Sequence, residues 1–365
     1  MPPDFPRGEC NTHFAFVLLL ATFAMFPQNL TSPFILFEYT AFFNGGSPCR
    51  TDAETASAGC KAAMEHYLDV NKNVMGVQAV LGFLLFAVIG RISDSVGRRA
   101  AFIGSLLPVL AQQVALLTYA MGATSLWPYL VLLGVPNFVF VLAFAYIADI
   151  IPSKWRATYF AWFIAAFGIN QFAANAICKT VVRNFEIAAA TALVSQLLAL
   201  VVAVLVLPES LPLESRKPPI NWRDKAEVLP VVNSLAQVRI LGRTKIFRRV
   251  ATALLVSTLA FRGVQAIQQP YLRQEVHFSS DEFETQSMIA GIAIVVTQLG
   301  LTPVLITWAG EQRTLVAGLV VSLCYVLSYA TRLVHSVPTV YMATVSPATA
   351  APPASLCLPT CKRNV

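Results

Sequence analysis

The chain alternates between long apolar runs and short polar ones, and that alternation restricts what it can fold into. A bilayer core about 30 Å thick is crossed by about 20 helical residues at 1.5 Å each. Nine runs reach that length: 14–37, 74–93, 100–121, 126–148, 158–178, 187–207, 250–272, 288–308 and 315–333. Hydrocarbon offers backbone groups no partner, so each run is predicted as a helix, whose hydrogen bonds are internal. A tenth run starts at Val337, but prolines at 347, 352, 353 and 359 are expected to stop it, since each removes a backbone donor. The expected fold is an all-α polytopic membrane protein with nine or ten spans. Composition agrees, with 56% hydrophobic and only 12% charged residues, against about 25% charged in soluble domains.

The net charge of +7 raises nucleic acid as a partner, but the basic residues form no aromatic-interleaved face and no nucleic-acid motif accompanies them. Lipid is the expected surroundings. The seven cysteines lack metal-ligand or redox spacing, so neither metal nor cofactor is expected. Cys49 and Cys60 share one polar loop and are placed to pair if that loop faces an oxidising compartment. The acidic, proline-containing N-terminus lacks the basic region of a signal peptide.

Lysine and arginine placement sets the expected orientation. With a cytoplasmic N-terminus (1–13), loops after even-numbered spans hold fifteen of them, including Lys154 and nine between Glu209 and Arg249, against seven in the opposite loops. The chain then divides into a six-helix half (14–207), a cytoplasmic central loop (208–249), a partial second half (250–333) and a proline-rich terminus (334–365) that reads as truncated or out of frame. The first outer loop is expected to run from Thr40 to Asn73. Nothing in the sequence separates a plasma membrane from an organelle membrane.

The stretch "GRISDSVGRRA", Gly90 to Ala100, places an aspartate and three arginines directly after the second apolar run. Gly90 and Gly97 permit close helix approach and a tight turn. Asp94 lies one turn before Arg98 and is placed to pair with it or with a neighbouring helix end. Arg98 and Arg99 are placed to donate to C-terminal carbonyls of spans ending on this side. The stretch reads as a conformational latch or as a set of positive-inside anchors. A weaker echo, "WAGEQRTLVAGLV", follows the eighth run, with Thr307 where the first copy has Asp94. Repeats of this kind build many transporters.

The order Gly90, Asp94, Gly97, Arg98, Arg99 between the second and third spans resembles the loop signature of the major facilitator superfamily. "AYIADIIPSKWRAT", with Asp149 and Arg156, and "LPESLP" after the sixth span look like the tetracycline-resistance and hippocampus-abundant-transcript-like branch. The resemblance implies a twelve-span helical bundle, a small-molecule substrate, alternating access, and a latch of Gly90, Asp94, Gly97, Arg98, Arg99, Asp149 and Arg156.

Polar groups inside apolar runs are functional candidates, because a charge at mid-span costs on the order of 3 kcal/mol. Arg262 lies near the middle of the seventh run, either facing a cavity where it attracts an anionic solute, or paired internally, or beside a helix interruption at Gly263. Gln28, Asn29, Asn137, Asn170, Gln171 and Gln265 are further candidates, each serving substrate contact or interhelical hydrogen bonding. Gln298 reads as a packing polar group. No Asp, Glu or His falls in the middle of the nine runs, so the resemblance does not license proton antiport. The expected function is a monomeric secondary transporter, facilitator or ion-coupled. Its rival is a truncated, non-transporting relative. An enzyme is disfavoured, because no acid, His or Cys cluster has catalytic spacing.

Overall fold

A computed structural model of the protein describes residues 7–47, 49, 57–152, 155–182, 184–216, 218, 245–331 and 333–350. Most of the central loop, Lys154 and residues 351–365 lie outside the described residues. The elements are α1 (Arg7–Phe43), α2 (Ala58–Val96), α3 (Arg98–Ala120), α4 (Trp127–Leu133), α5 (Val139–Ile150), α6 (Arg156–Thr180), α7 (Phe185–Val201), α8 (Lys245–Glu275), α9 (Ser280–Val296), α10 (Thr302–Ala309), α11 (Glu311–Ala330) and α12 (Val337–Ala350). A π turn, Val202–Val206, extends α7, and another, Thr297–Leu301, joins α9 to α10. Among the described residues, six segments are long and apolar enough to cross a membrane, including Asn11–Phe43, Arg98–Ala120 and Ser280–Ala309, and Val139–Ile150 and Val316–Ala330 are shorter apolar helices. The chain is a multi-pass membrane protein.

Several boundaries differ from the sequence expectation for local reasons. The outer loop is not Thr40 to Asn73, because α2 already begins at Ala58, where the Ser57 hydroxyl accepts the Cys60 N–H at 3.2 Å. The fourth run breaks into α4 and α5. Pro136 cannot donate, and the Asn137 Oδ1 takes the Val139 N–H at 2.9 Å, opening α5. Pro347 does not stop the tenth run, because α12 continues to Ala350. One missing N–H removes one rung of the ladder without ending it. Gly263 interrupts nothing, since α8 runs through it.

The chain forms two compact units. The first comprises Met1–Ala24, Asn73–Arg156 and Leu193–Ala253. Its centre is the face of α3 carrying Phe102, Leu106, Val109 and Leu116, spaced four, three and seven apart and so on one side of the helix, set against α5 with its buried Leu142, Ala143, Tyr146 and Ile147. Within this unit, Ser195 of α7 donates to the Phe23 carbonyl of α1 at 2.9 Å, a carbonyl left without its helical N–H because the residue four positions on in α1 is a proline.

The second unit comprises Met25–Lys72, Ala157–Ala192 and Leu254–Val365. Here α12 packs against α9 and α11, and Leu30 of α1 packs on Ala174 and Cys178 of α6. A disulfide joins Cys49 to Cys60, with Cα atoms 5.9 Å apart.

Candidate functional site

The charged stretch of the second loop is a folded site in the first unit. After α2 ends, Gly97 adopts φ +117°, a conformation that favours glycine, and donates its N–H to the Ser93 carbonyl at 3.2 Å. The next helix therefore starts without a side-chain cap on its own N-cap residue. Glu209, from the segment after α7, supplies one. Its Oε1 accepts the Arg98 N–H at 2.8 Å and its Oε2 the Arg99 N–H at 3.3 Å. A carboxylate here also meets the positive end of the α3 dipole. The cap needs a bare Gly97: a Cβ there would lie 2.9 Å from the Glu209 Cδ, with Oε2 nearer still.

Arg98 is almost fully buried and sits between two acids. Its Nη1 is 2.8 Å from Asp94 Oδ1 and its Nε is 2.7 Å from Asp149 Oδ2, while Nη1 also donates to the Ser93 hydroxyl at 2.8 Å. The two carboxylates are about a quarter exposed, so water competes for part of each pair. Ser210 donates to Asp149 Oδ2 at 3.4 Å, tying the segment after α7 to the end of α5. Arg99 donates to the carbonyls of Ala203 and Val204, in the π turn where α7 ends. Arg216 donates to the Val96 carbonyl at 3.0 Å and approaches Glu209 at 3.7 Å. Tyr146, fully buried beneath, donates to the Pro208 carbonyl at 3.0 Å. The end of α2, the start of α3, the end of α5 and the end of α7 are thus held by one set of charge-assisted bonds.

Asp94, Gly97, Arg98, Arg99 and Asp149 are brought together. Two expected members are not. Arg156 donates to the Ile151 carbonyl at 2.9 Å, closing the end of α5. A Cβ on Gly90 would meet nothing within 4 Å among the described residues, so no close helix approach depends on it. Sequence reading missed Glu209, Ser210 and Arg216 as members, although "LPESLP" was visible.

The echo in the second half has the same backbone and different chemistry. Gly310 takes φ +81° and ψ +161° where Gly97 takes +117° and +157°, and its N–H likewise reaches back four residues, to Ile306. A Cβ on Gly310 would meet nothing within 4 Å among the described residues, and Thr307 donates to the Val304 carbonyl.

The candidate binding groups are dispersed. Asn137, in the first unit, opens α5. In the second, Gln28 is exposed, Asn29 and Gln171 are half-buried, and Asn170 is buried. The Asn29 Nδ2 has no partner among the described residues. Arg262 is exposed on α8 and donates to Gln265 Oε1 at 3.2 Å. Gln268 is committed elsewhere, donating to Tyr329 at 3.0 Å and accepting from Tyr325 at 3.3 Å. Gln298 is fully buried in the π turn, with neither amide atom partnered among the described residues, which packing alone does not explain.

Comparison with known proteins agrees with this architecture. Human hippocampus abundant transcript-like protein 1 is 25% identical over 264 residues, 70% of this chain and 50% of that protein. The chain spans about half the length of the curated relatives it matches. The human organic anion transporter MFSD10 (TETRAN) shares the fold with a TM-score of 0.61 at 19% identity, covering 96% of this chain and 88% of that one. The E. coli xylose transporter XylE, in a partially occluded inward open conformation, gives 0.59 at 15% identity, covering 96% and 83%. The family model for the Major Facilitator Superfamily matches residues 14–351, and with the loop signature folded as described, the chain belongs to that superfamily.

Proposed function

We propose that the protein is a secondary transporter that moves a small solute across a membrane by alternating access, and that the Arg98 network is the lock of one conformation. The observation that carries this reading is the position of Arg98. A positive-inside anchor keeps its guanidinium in water or among headgroups, whereas Arg98 is 8% exposed and bound to two carboxylates. Four chain segments meet there through bonds that partial hydration can compete with, which suits a contact made and broken in each cycle. The lysine and arginine distribution supports a cytoplasmic position for the lock.

A small organic anion is the proposed cargo class. Arg262 supports it, as an exposed guanidinium near the middle of the seventh apolar run, with Gln265 one turn on. The neighbour MFSD10 is described as an organic anion transporter, and the likeness to it is one of fold. The protein is proposed to act as a monomer, as a facilitator or coupled to an ion.

The test is uptake into proteoliposomes from a panel of radiolabelled small organic anions and neutral sugars. Saturable uptake above protein-free vesicles is expected for at least one anion, with KM raised in Arg262→Ala and the maximal rate altered in Asp149→Asn. Uptake no faster than in empty vesicles across the panel would overturn the reading. Anion uptake indifferent to Arg262→Ala would remove that arginine from the binding role.

A further inference from the structure

In the second unit, α6 and α9 run antiparallel in close contact. Gly168 and Gly291 meet face to face: a Cβ on Gly168 would lie 2.7 Å from the Gly291 carbonyl oxygen, and one on Gly291 2.6 Å from that of Gly168. The helices then run together toward the end of α6 and the start of α9, where Cys178 faces Glu284 and Lys179 faces Thr285. Glu284 is 5% exposed. Its Oε1 accepts the Cys178 thiol at 3.4 Å, and its Oε2 is buried without a partner among the described residues. A thiol is a weak donor and does little for an anion.

Among the described residues no cation is ion-paired with Glu284, although Lys179 lies near it. On α6, the Lys179 ammonium donates to the Thr285 hydroxyl at 2.8 Å, at the exposed rim. On α9 itself, Asp281 is a further acid one turn away, and Glu282 accepts from Ser279 in the capping box. On α8, buried Arg273 donates to the Phe278 carbonyl at 2.8 Å and lies over the Phe37 ring, whose neighbour on α1 is Glu38. Tyr341 of α12 stacks edge-on against Phe278.

We propose that Glu284 is a proton-binding site, and that its proton holds the ends of α6 and α9 together. A buried carboxylate without an ion-pair partner is stable when it takes one proton from the adjoining aqueous phase, or when water reaches it. With the backbones in contact at Gly168 and Gly291, water reaches it by parting the helices at the Cys178–Glu284 end. The protonated site is therefore closed and the ionised site open, and each opening returns one proton to bulk water. That this proton couples to solute movement rests on the transporter reading; its binding to Glu284 does not.

The test reads Cys178 directly and needs no substrate. Cys10, Cys324, Cys357 and Cys361 are replaced by serine, leaving the Cys49–Cys60 disulfide and Cys178. Labelling by a membrane-impermeant maleimide is followed in nanodiscs from pH 5.5 to 8.5, in this background and with Glu284→Gln added. The ratio of the background rate to the Gln rate cancels the intrinsic pH dependence of thiol attack. It is expected to be near one at pH 5.5 and to rise to about tenfold at pH 8.5, since only the ionised carboxylate opens the site. Glu284→Met, which also cannot ionise, is expected to follow Gln. If Glu284 were only a local negative charge, its removal would speed labelling at high pH, because the thiolate is the nucleophile. A ratio at or below one throughout, or a Met variant that labels like the background, would overturn the proposal.

Discussion

Replacing Gly97 by alanine separates the cost of a backbone conformation from the cost of a blocked cap, because Gly310 provides the matching control. Both glycines sit at a helix N-cap with positive φ and nearly equal ψ. An L-residue in that region, which is essentially restricted to glycine, costs about 1–3 kcal/mol, and Gly310→Ala should lose only that, since its Cβ enters open space among the described residues. Gly97→Ala loses the same amount and also drives its Cβ into Glu209. The carboxylate must leave the Arg98 and Arg99 N–H groups, and a lost helix cap costs about 0.5–2 kcal/mol. The Glu209–Arg216 approach at 3.7 Å, about a quarter exposed, adds little. The expected loss is about 2–5 kcal/mol at Gly97 against about 1–3 at Gly310, so the two should differ by about the worth of the cap. Equilibrium unfolding by SDS in mixed detergent micelles, followed by far-UV circular dichroism, measures both. Adding Glu209→Ala to Gly97→Ala should cost less than it does alone, because the cap is already displaced. Equal losses at the two glycines, or full additivity with Glu209→Ala, would refute the reasoning.

Ser195→Ala should lower stability by about 1 kcal/mol by stranding the Phe23 carbonyl; in a Pro27→Ala background the regained N–H should make the same substitution nearly neutral in SDS unfolding. Gln298→Leu should raise stability by about 1 kcal/mol, because it removes a fully buried amide without partners; a loss instead would show that the amide has a partner such as a bound water. Cys60→Ser should cost about 3 kcal/mol by releasing a loop closed over 11 residues, and dithiothreitol should reproduce that loss in the parent protein and leave the variant unchanged.

The membrane helices were legible because bilayer thickness, a constraint outside the sequence, decides how long an apolar run must be. Their ends were less so, since polar residues can continue a helix into water. Ser57 before α2 and the Ser279–Glu282 capping box before α9 were readable start signals, and giving them weight would have placed Glu284 inside a helix. Within the site, Asp94 and Arg98 were found because one helical turn separates them. Glu209 contacts Arg98 across 111 positions of sequence, a pairing that local spacing does not encode. The depth of Arg262 could be counted along the run, but not its face, because helix periodicity orients a residue only where one face is plainly apolar.

The two half-repeats separate what the loop geometry requires from what its chemistry adds. Gly97 and Gly310 give the same turn and the same backward N–H bond, so the turn needs neither an acid at the Asp94 position nor an arginine pair. The first copy adds Glu209 on the helix start and Asp94 and Asp149 on Arg98, while the second has Thr307 bonded within its own helix. If the charges served only to orient the chain, the carboxylates would be dispensable, because the positive-inside bias counts lysine and arginine and is almost indifferent to acids. The acids instead converge on one buried guanidinium and one helix end. That convergence supports a lock more than an anchor, and it rests on three carboxylates of the first copy: Asp94, Asp149 and Glu209.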